Sequence, residues 1–452
     1  MVQLLCINVF DSKNCLGEMK MDLTNKKLLL MGGGAYAKGL KKYADEKGFK
    51  MIAVGRDSDT PLSRIADEFY QIDTKDVEKV SALVKEKGID GIFVGSSEVN
   101  IDPAIEVSER TGARFYTDRK QWDIIANKAR FKEFARKNNV PVVPEFKLTS
   151  ELKEEDVNNL TFPIMIKPVD SSGARGLYVC YTKEDLYKNY AEALKWSESK
   201  EIIVEKLITD SEEVFFYYTM QDGNYSLSAA FTKHKVISDS EYVNATLPIF
   251  HMYPCKYVPE FLRDVDPGVK KMFKEMGLKN GVIMLQGFVN KKGEFCFFES
   301  GFRMGGEQMY ILTDYQWGIN SLEMMVNYAL SGKMSDEDIR EKDDARFRHP
   351  CCNYYVSLKS GVIKEMNGIE EVEKMPEVLN VTVMSQPGDV IPETNALERC
   401  CLRIHVVGET KEKLAKALEK ISATLKIIST KGEEMQIEHL TYDRCLKAIE
   451  LS

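Results

Sequence analysis

Between Lys27 and Asp118, short apolar runs alternate with stretches of helical period. Residues 27–31 (KLLLM) read as a buried strand, followed by Gly32-Gly33-Gly34 and a helix over 35–47. Residues 50–54 (KMIAV) predict a second strand, 76–87 a helix and 91–95 a third strand. This βαβαβ order predicts parallel strands. A long amphipathic stretch, 119–138, follows, capped by Thr117 or Asp118. Pro141 and Pro144 then interrupt regular structure. The runs 162–167 (FPIMIK) and 176–181 (GLYVCY) read as strands joined by a loop of Gly, Ser and Asp. A helix fits 183–196, and strands fit 201–206, 214–220, 225–231 and 282–289. The stretch 293–299 closes a hairpin with 282–289 across Asn290-Lys291-Lys292-Gly293. A helix fits 318–331, and the charged run 333–346 reads as a linker or solvated helix before a last domain.

Composition adds bounds. The chain has 452 residues, 44% apolar and 29% charged, which suits a soluble globular protein of several domains. A net charge of −8 without a long basic block argues against nucleic-acid binding. No window approaches about 18 uninterrupted apolar residues, and the opening segment lacks signal-peptide features, so neither membrane association nor secretion is expected. The ten cysteines show no CxxC spacing. They read as reduced thiols in a cytoplasmic protein, without a zinc site.

Four motifs carry candidate chemistry. Gly32, Gly34 and Ala37 fit G-x-G-x-x-A after a strand, with Asp57 beyond the second strand, as in a dinucleotide fingerprint. A tight strand-to-helix turn demands glycine on backbone grounds alone. The run Lys167-Pro168-Val169-Asp170-Ser171-Ser172-Gly173-Ala174-Arg175-Gly176 is a lysine-ended strand with a Ser/Gly loop. Its backbone N–H groups could cradle phosphate oxygens; the alternative is a loose hairpin. In Ile202–Leu207, an apolar strand ends in Glu205-Lys206-Leu207, with Glu212 and Glu213 beyond. Such a strand end can offer backbone groups to an adenine edge and a carboxylate to ribose; the alternative is an ordinary strand end. The last motif is Glu299-Ser300-Gly301-Phe302-Arg303, where alternation puts Glu299, Gly301 and Arg303 on one face. An acid that holds a divalent cation and an arginine that faces a transferring phosphoryl group would explain the pair. A surface ion pair, adding under about 1 kcal/mol, is the plain alternative.

The order of these parts resembles the ATP-grasp superfamily: Asn127-Lys128 in a helix, VPVVPEF, IKPVDSSGARG, IVEKLI and FFESGFRMGG, over about 27–335. The resemblance implies an α/β fold: a Rossmann-like preATP-grasp domain (27–118), a two-lobed ATP-grasp core (119–340) with a mobile lid (141–204), and a C-terminal α/β domain (345–452). It implies ATP and Mg²⁺, with Mn²⁺ as an alternative. By this resemblance Lys128 and Lys167 contact phosphates, and Lys167 and Arg303 are catalytic. The loop containing Ser171, Ser172, Gly173 and Gly176 covers the triphosphate. Glu205, Lys206 and Leu207 lie at adenine, and Glu213 (or Glu212) holds ribose. Glu299 binds metal. Two departures stand out: Gln286 occupies the usual acid position on the preceding strand, and Gly301 replaces the asparagine of E-x-N-x-R. With the hairpin centred on Lys291-Lys292, Gln286 is expected diagonal to Glu299, offering an uncharged oxygen to the metal.

Residues 360–430 resemble the C-terminal domain of the L-amino-acid ligase branch, through the spacing of Gly361, Gly368, Pro376, Gly388 and Gly408. The implied activity is ATP-dependent carboxylate–amine ligation through an acyl phosphate, on small-molecule acids and amines, with a homodimer left open. Alternatives are a bicarbonate-phosphorylating carboxylase-like enzyme and an ATP-binding protein without turnover. Ser96-Ser97-Glu98 and Asn100 are candidate substrate contacts or helix caps. Gly305-Gly306 could let substrate approach the backbone or simply turn the chain. His234, His251 and His349 read as structural.

Overall fold

The computed structural model describes residues 21–171, 175–236, 247–393 and 397–452. Ser172 and Gly173, expected in a phosphate-covering loop, lie outside them.

The first unit is a parallel sheet in the order Glu68–Tyr70, Lys50–Val54, Lys27–Leu30, Gly91–Phe93. Leu28, Leu29 and Leu30 are all fully buried, which is why this strand reads as a continuous apolar run. The edge strand Glu68–Tyr70 was not foreseen: it has three residues, all only partly buried, and no apolar pattern. At Gly91 a Cβ would come within 1.9 Å of the Ala329 carbonyl, so glycine lets the helix Ser321–Ser331 lie directly against this sheet.

The stretch 119–138 is two helices rather than one, Arg119–Ile125 and Lys128–Lys137. Asp118 caps the first, and the Asn127 side chain accepts from the Arg130 N–H to cap the second. Lys128 therefore opens a helix, and its own N–H donates to Val169 O at 3.0 Å.

A small antiparallel sheet follows in the order Glu145–Phe146, Ile202–Lys206, Ile164–Pro168, Tyr178–Cys180. One face packs Ile164, Ile166, Val204 and Cys180 against Leu186, Tyr190 and Ala193 of the helix Lys183–Leu194. This core is separate from the larger ones. By alternation the other face carries Glu145, Met165, Lys167 and Glu205.

The largest sheet has eight antiparallel strands: Phe295–Gly301, Gly281–Asn290, Ser211–Gln221, Asn224–Lys235, Pro248–Tyr253, Cys351–Ser357, Cys400–Val407 and Val378–Val383. It runs without a break across the expected boundary near 340–345. Phe216, Tyr218 and Phe297 on one face pack on Phe261 and Phe273. Phe215, Tyr217 and Met284 on the other join a core shared with Leu28, Tyr36 and Phe93 of the first unit. The charged run is neither a bare linker nor a solvated helix: Ile339 and Ala345 are buried around a short turn at Ile339–Glu341. The expected helix over 318–331 is present as Ser321–Ser331, capped by Asn320, and an unforeseen helix, Tyr310–Trp317, precedes it and ends at Gly318 in left-handed conformation. Among the described residues, no helix is long and apolar enough to cross a membrane.

Candidate active site

The polar face of the small sheet, which carries Lys167, meets the edge strand of the eight-stranded sheet. The Lys167 ammonium lies 2.7 Å from Glu205 Oε2 and 5.1 Å from the ring centre of Phe298, which stands on the opposite sheet. Lys128 Nζ donates to the Ser171 carbonyl at 2.6 Å and lies 3.5 Å from Glu299 Oε2. Two lysines and Glu299 thus gather at the entrance of the Ser171–Gly176 loop. At its far end Gly176 has φ +75, and a Cβ there would meet Trp196 and Pro168 at 2.8 and 2.9 Å.

Gln286 pairs directly with Glu299, not diagonally. A β-bulge between Gln286 and Gly287 shifts the register, so counting back from the turn fails. A Cβ on Gly301 would lie 2.7 Å from Met284 Cε, so a methionine fills the space of the missing asparagine. Oxygen donors suit a hard cation, and Glu299 with the Gln286 carbonyl could supply two. No group of three or more His, Cys, Asp or Glu among the described residues could hold a metal, so further ligands would come from phosphate and water.

Arg303 lies just past the strand, which ends at Gly301, and so does not share its face with Glu299. It turns instead to the carboxyl end of the parallel sheet. Its Nε and Nη2 donate to Glu98 Oε2 at 3.1 and 3.0 Å, and its Nη1 to Met304 O at 3.1 Å. Burial works against the Arg303 charge, but Glu98 and Glu307 hold its pKa above the ordinary value. Glu98, a candidate substrate contact from sequence, is thereby joined to Arg303.

The adenine and ribose candidates divide. The Glu205 side chain is buried between Lys167 and Lys132, and its backbone lies between Glu145 and Met165 of the neighbouring strands, so the expected backbone contact to adenine is not open at this residue. The Lys206 N–H donates to Pro144 O at 2.9 Å and that of Leu207 to Pro163 O at 3.3 Å. Glu213 pairs with Lys233 at 2.9 Å and, by register, shares the face of Phe215 and Gln286. Glu212 is on the reverse face, with Lys256 at 3.1 Å and Tyr257 OH at 3.2 Å.

Three residues escaped the sequence reading. Lys132 is fully buried; its spacing from Lys128 puts both on one helix face, which was a usable signal. Arg403 stands in the wholly buried strand CCLRIHVV, where a charge demands a partner. Glu307 follows Gly305-Gly306. The loop that carries it is pinned from several sides: Tyr36 OH donates to Gly305 O, Arg403 to Gly306 O, and Asn353 Nδ2 to Glu307 O at 2.8 Å. His405 Nε2 lies 2.8 Å from that same carbonyl. Thr382 Oγ1 donates to Gln308 Oε1 at 2.8 Å, while Gln308 donates to Ala35 O. Yet Glu307 Oε1 and Arg403 Nε, both buried, have no hydrogen-bond partner among the described residues. The glycine at 305 is required because the Glu307 carboxylate occupies the space of its Cβ. Burial lowers His405 to about 3 and His234 to about 4, so both are neutral. His251 is also shifted well down by burial and lies 3.1 Å from Tyr355 OH, as fits a structural histidine.

Residues 127–226 match the family model of the carbamoyl-phosphate synthase L chain, ATP binding domain, and residues 354–429 that of the L-amino acid ligase C-terminal domain 2. The formate-dependent phosphoribosylglycinamide formyltransferase of Prochlorococcus marinus subsp. pastoris is 28% identical over 177 residues, covering 39% of this chain and 45% of that protein. The chain thus spans about half the length of this curated relative. Among solved structures, the L-amino acid ligase from Bacillus licheniformis superposes with a TM-score of 0.72 at 18% identity, covering 90% of this chain and 99% of the other. The biotin carboxylase domain of Hydrogenobacter thermophilus 2-oxoglutarate carboxylase, in complex with MgADP and bicarbonate, gives 0.73 at 19%, with 94% of each chain covered. These likenesses define the fold as that of ATP-grasp enzymes. The match over 127–226 adds sequence similarity to an ATP-binding domain, and the C-terminal part resembles that of L-amino acid ligases.

Proposed function

We propose that the protein is a cytoplasmic ATP-dependent carboxylate–amine ligase that works with Mg²⁺, or with Mn²⁺ in its place. In this reading 27–118 is the preATP-grasp domain, 119–340 the ATP-grasp core with its lid at 141–204, and 345–452 the C-terminal domain. One observation carries it: Lys128 lies 3.5 Å from Glu299, the direct partner of Gln286, and Lys167 stands over Phe298 of the same strand, so we assign ATP to the cleft between the small sheet and this strand.

ATP binds in that cleft with its phosphates at Lys128, Lys167 and the Ser171–Gly176 loop. Glu299 and the Gln286 carbonyl would hold Mg²⁺, which would supply charge neutralisation at the phosphate oxygens. A substrate carboxylate oxygen attacks the γ-phosphorus, the bond to the bridging oxygen breaks, and ADP leaves. Arg303, held by Glu98, stabilises the charge on the transferring group. The amine nitrogen then attacks the acyl carbon; the C–O bond to phosphate breaks, and phosphate leaves with the amide formed. Glu307, whose Oε1 has no hydrogen-bond partner among the described residues, is the group we assign to take the ammonium proton before that attack. The small sheet, with its own core, closes as a unit and excludes water, which would hydrolyse the acyl phosphate.

The test is ADP release by the purified chain with Mg²⁺-ATP over paired acids and amines, with mass spectrometry of products. Release that needs both partners is expected. Release with bicarbonate alone supports the carboxylase-like alternative. Met284 in the place of the asparagine ligand favours a second reading, nucleotide binding without turnover. That reading predicts tight ATP binding and no ADP with any pair.

A further inference from the structure

Lys132 is fully buried, and its ammonium sits among Glu205 Oε1, the Val143 carbonyl at 3.1 Å and Glu145 Oε1 at 3.3 Å. Glu145 is also paired with Arg136, one turn further along the same helix, and Glu205 with Lys167. The network therefore joins the helix Lys128–Lys137 to three strands of the small sheet. It holds three cations (Lys132, Arg136, Lys167) against two carboxylates (Glu145, Glu205).

The imbalance has a consequence. A buried carboxylate stripped of its counter-ion is strongly unfavourable. Were Lys167 the sole partner of Glu205, moving its ammonium onto a phosphate would leave a bare anion inside the protein. With Lys132 in place, the departure of Lys167 leaves two cations facing two carboxylates. Lys167 is then the surplus charge, parked on Glu205 and beside Phe298 in the cleft.

We infer that Lys132 is a positioning residue for nucleotide binding: it keeps the Glu205 charge compensated so that Lys167 is free to engage an ATP phosphate. This rests on the ATP-site reading above, and it assigns Glu205 a role as the parking partner of Lys167.

The test measures Mg²⁺-ATP affinity by calorimetry, with folding checked by circular dichroism, for the full chain and for K132M, K132R, E205Q and K132M/E205Q. K132M should bind ATP about tenfold or more weakly, because Glu205 now retains Lys167. K132R, which keeps the charge, should recover most of the affinity. K132M/E205Q should bind more tightly than K132M, since no buried anion remains to hold Lys167. A merely structural lysine predicts instead that the double variant is no better than the single. K132M binding as the wild type does, or a double variant as weak as K132M, overturns the inference alone. Should K132M not fold, E205Q decides: binding at least as tight as wild type supports the inference, and tenfold weaker binding overturns it. A wild-type chain that binds no ATP overturns the site reading itself.

Discussion

Arg303 and Glu98 meet across two units of the fold, with two guanidinium nitrogens 3.1 and 3.0 Å from one carboxylate oxygen. The parallel sheet thus aims the arginine that follows the strand of Glu299. Glu98→Gln keeps the shape and removes the charge that fixes the guanidinium. Turnover should fall roughly tenfold to a hundredfold with little change in ATP affinity, since misplacement of a transition-state group acts on kcat. Arg303→Lys loses the forked donor and should cost about a hundredfold or more. Steady-state ADP release beside ATP calorimetry separates the two effects; a parallel loss of affinity in both variants would place Arg303 at the nucleotide rather than at the reacting group.

Gln286 stands directly across from Glu299. Gln286→Glu would put two carboxylates side by side, a repulsion in the free protein and a stronger site once a cation arrives. Half-saturating Mg²⁺ for ADP release should fall about tenfold. The melting temperature of the variant should drop in chelator and recover with Mg²⁺, more than that of the wild type. A melting temperature indifferent to Mg²⁺ would mean that this pair holds no ion.

Much of this was legible in the chain. Leu28–Leu30 and Ile164–Lys167 are buried or half-buried runs with turn residues at their ends, and local pattern suffices for such strands. Lys128, Lys167, Glu205 and Glu299 were picked by their order, and the fold brings Lys128 to Glu299 and Lys167 to Glu205. What failed was non-local. The bulge at Gln286 changes register without any mark in composition, and Met284 fills the space beside Gly301 from the neighbouring strand. The eight-stranded sheet crosses a charged run that resembles a boundary, because Tyr253 on one side of it packs on Phe347 on the other. Glu307 and Arg403 lie far apart in sequence, and only pairing of the strand Cys400–Val407 with Cys351–Ser357 brings them to one loop.

Asp343 is a buried carboxyl whose only close donor is Ser228 Oγ among the described residues, and burial, with Asp344 nearby, raises it to about 7. The unfolded chain releases this proton near the ordinary carboxyl value. Between those two values the native state holds a proton that the unfolded state has lost, so stability falls as pH rises from about 4 to about 7. The ceiling is on the order of 4 kcal/mol. Asp343→Asn keeps an acceptor for Ser228 and cannot ionise. Its gain in melting temperature over wild type should be largest at pH 8 and vanish near pH 4; an equal difference at both would remove Asp343 as the titrating group.

Lys132 should give nucleotide binding an alkaline limb. Burial pushes its ammonium down to about 8, against the pull of Glu205. The groups that face it are Glu205 and Glu145 on the small sheet, Lys167 beyond them, Arg136 on its own helix, and Cys296, whose thiol burial raises. As pH rises through about 8, Lys132 loses its charge, and Lys167 becomes the main compensation of Glu205 and is held there. When Lys167 moves to a phosphate, Glu205 turns its full charge on Lys132 and raises the affinity of that amine for a proton. Binding therefore takes up protons above pH 8, and by linkage ATP affinity falls as pH climbs. Calorimetry in buffers of different ionisation enthalpy reads the uptake directly. K132M and K132R, one never charged and the other always, should each show a flat profile between pH 7 and 9. A wild-type limb that persists unchanged in both variants would assign the titration to another group.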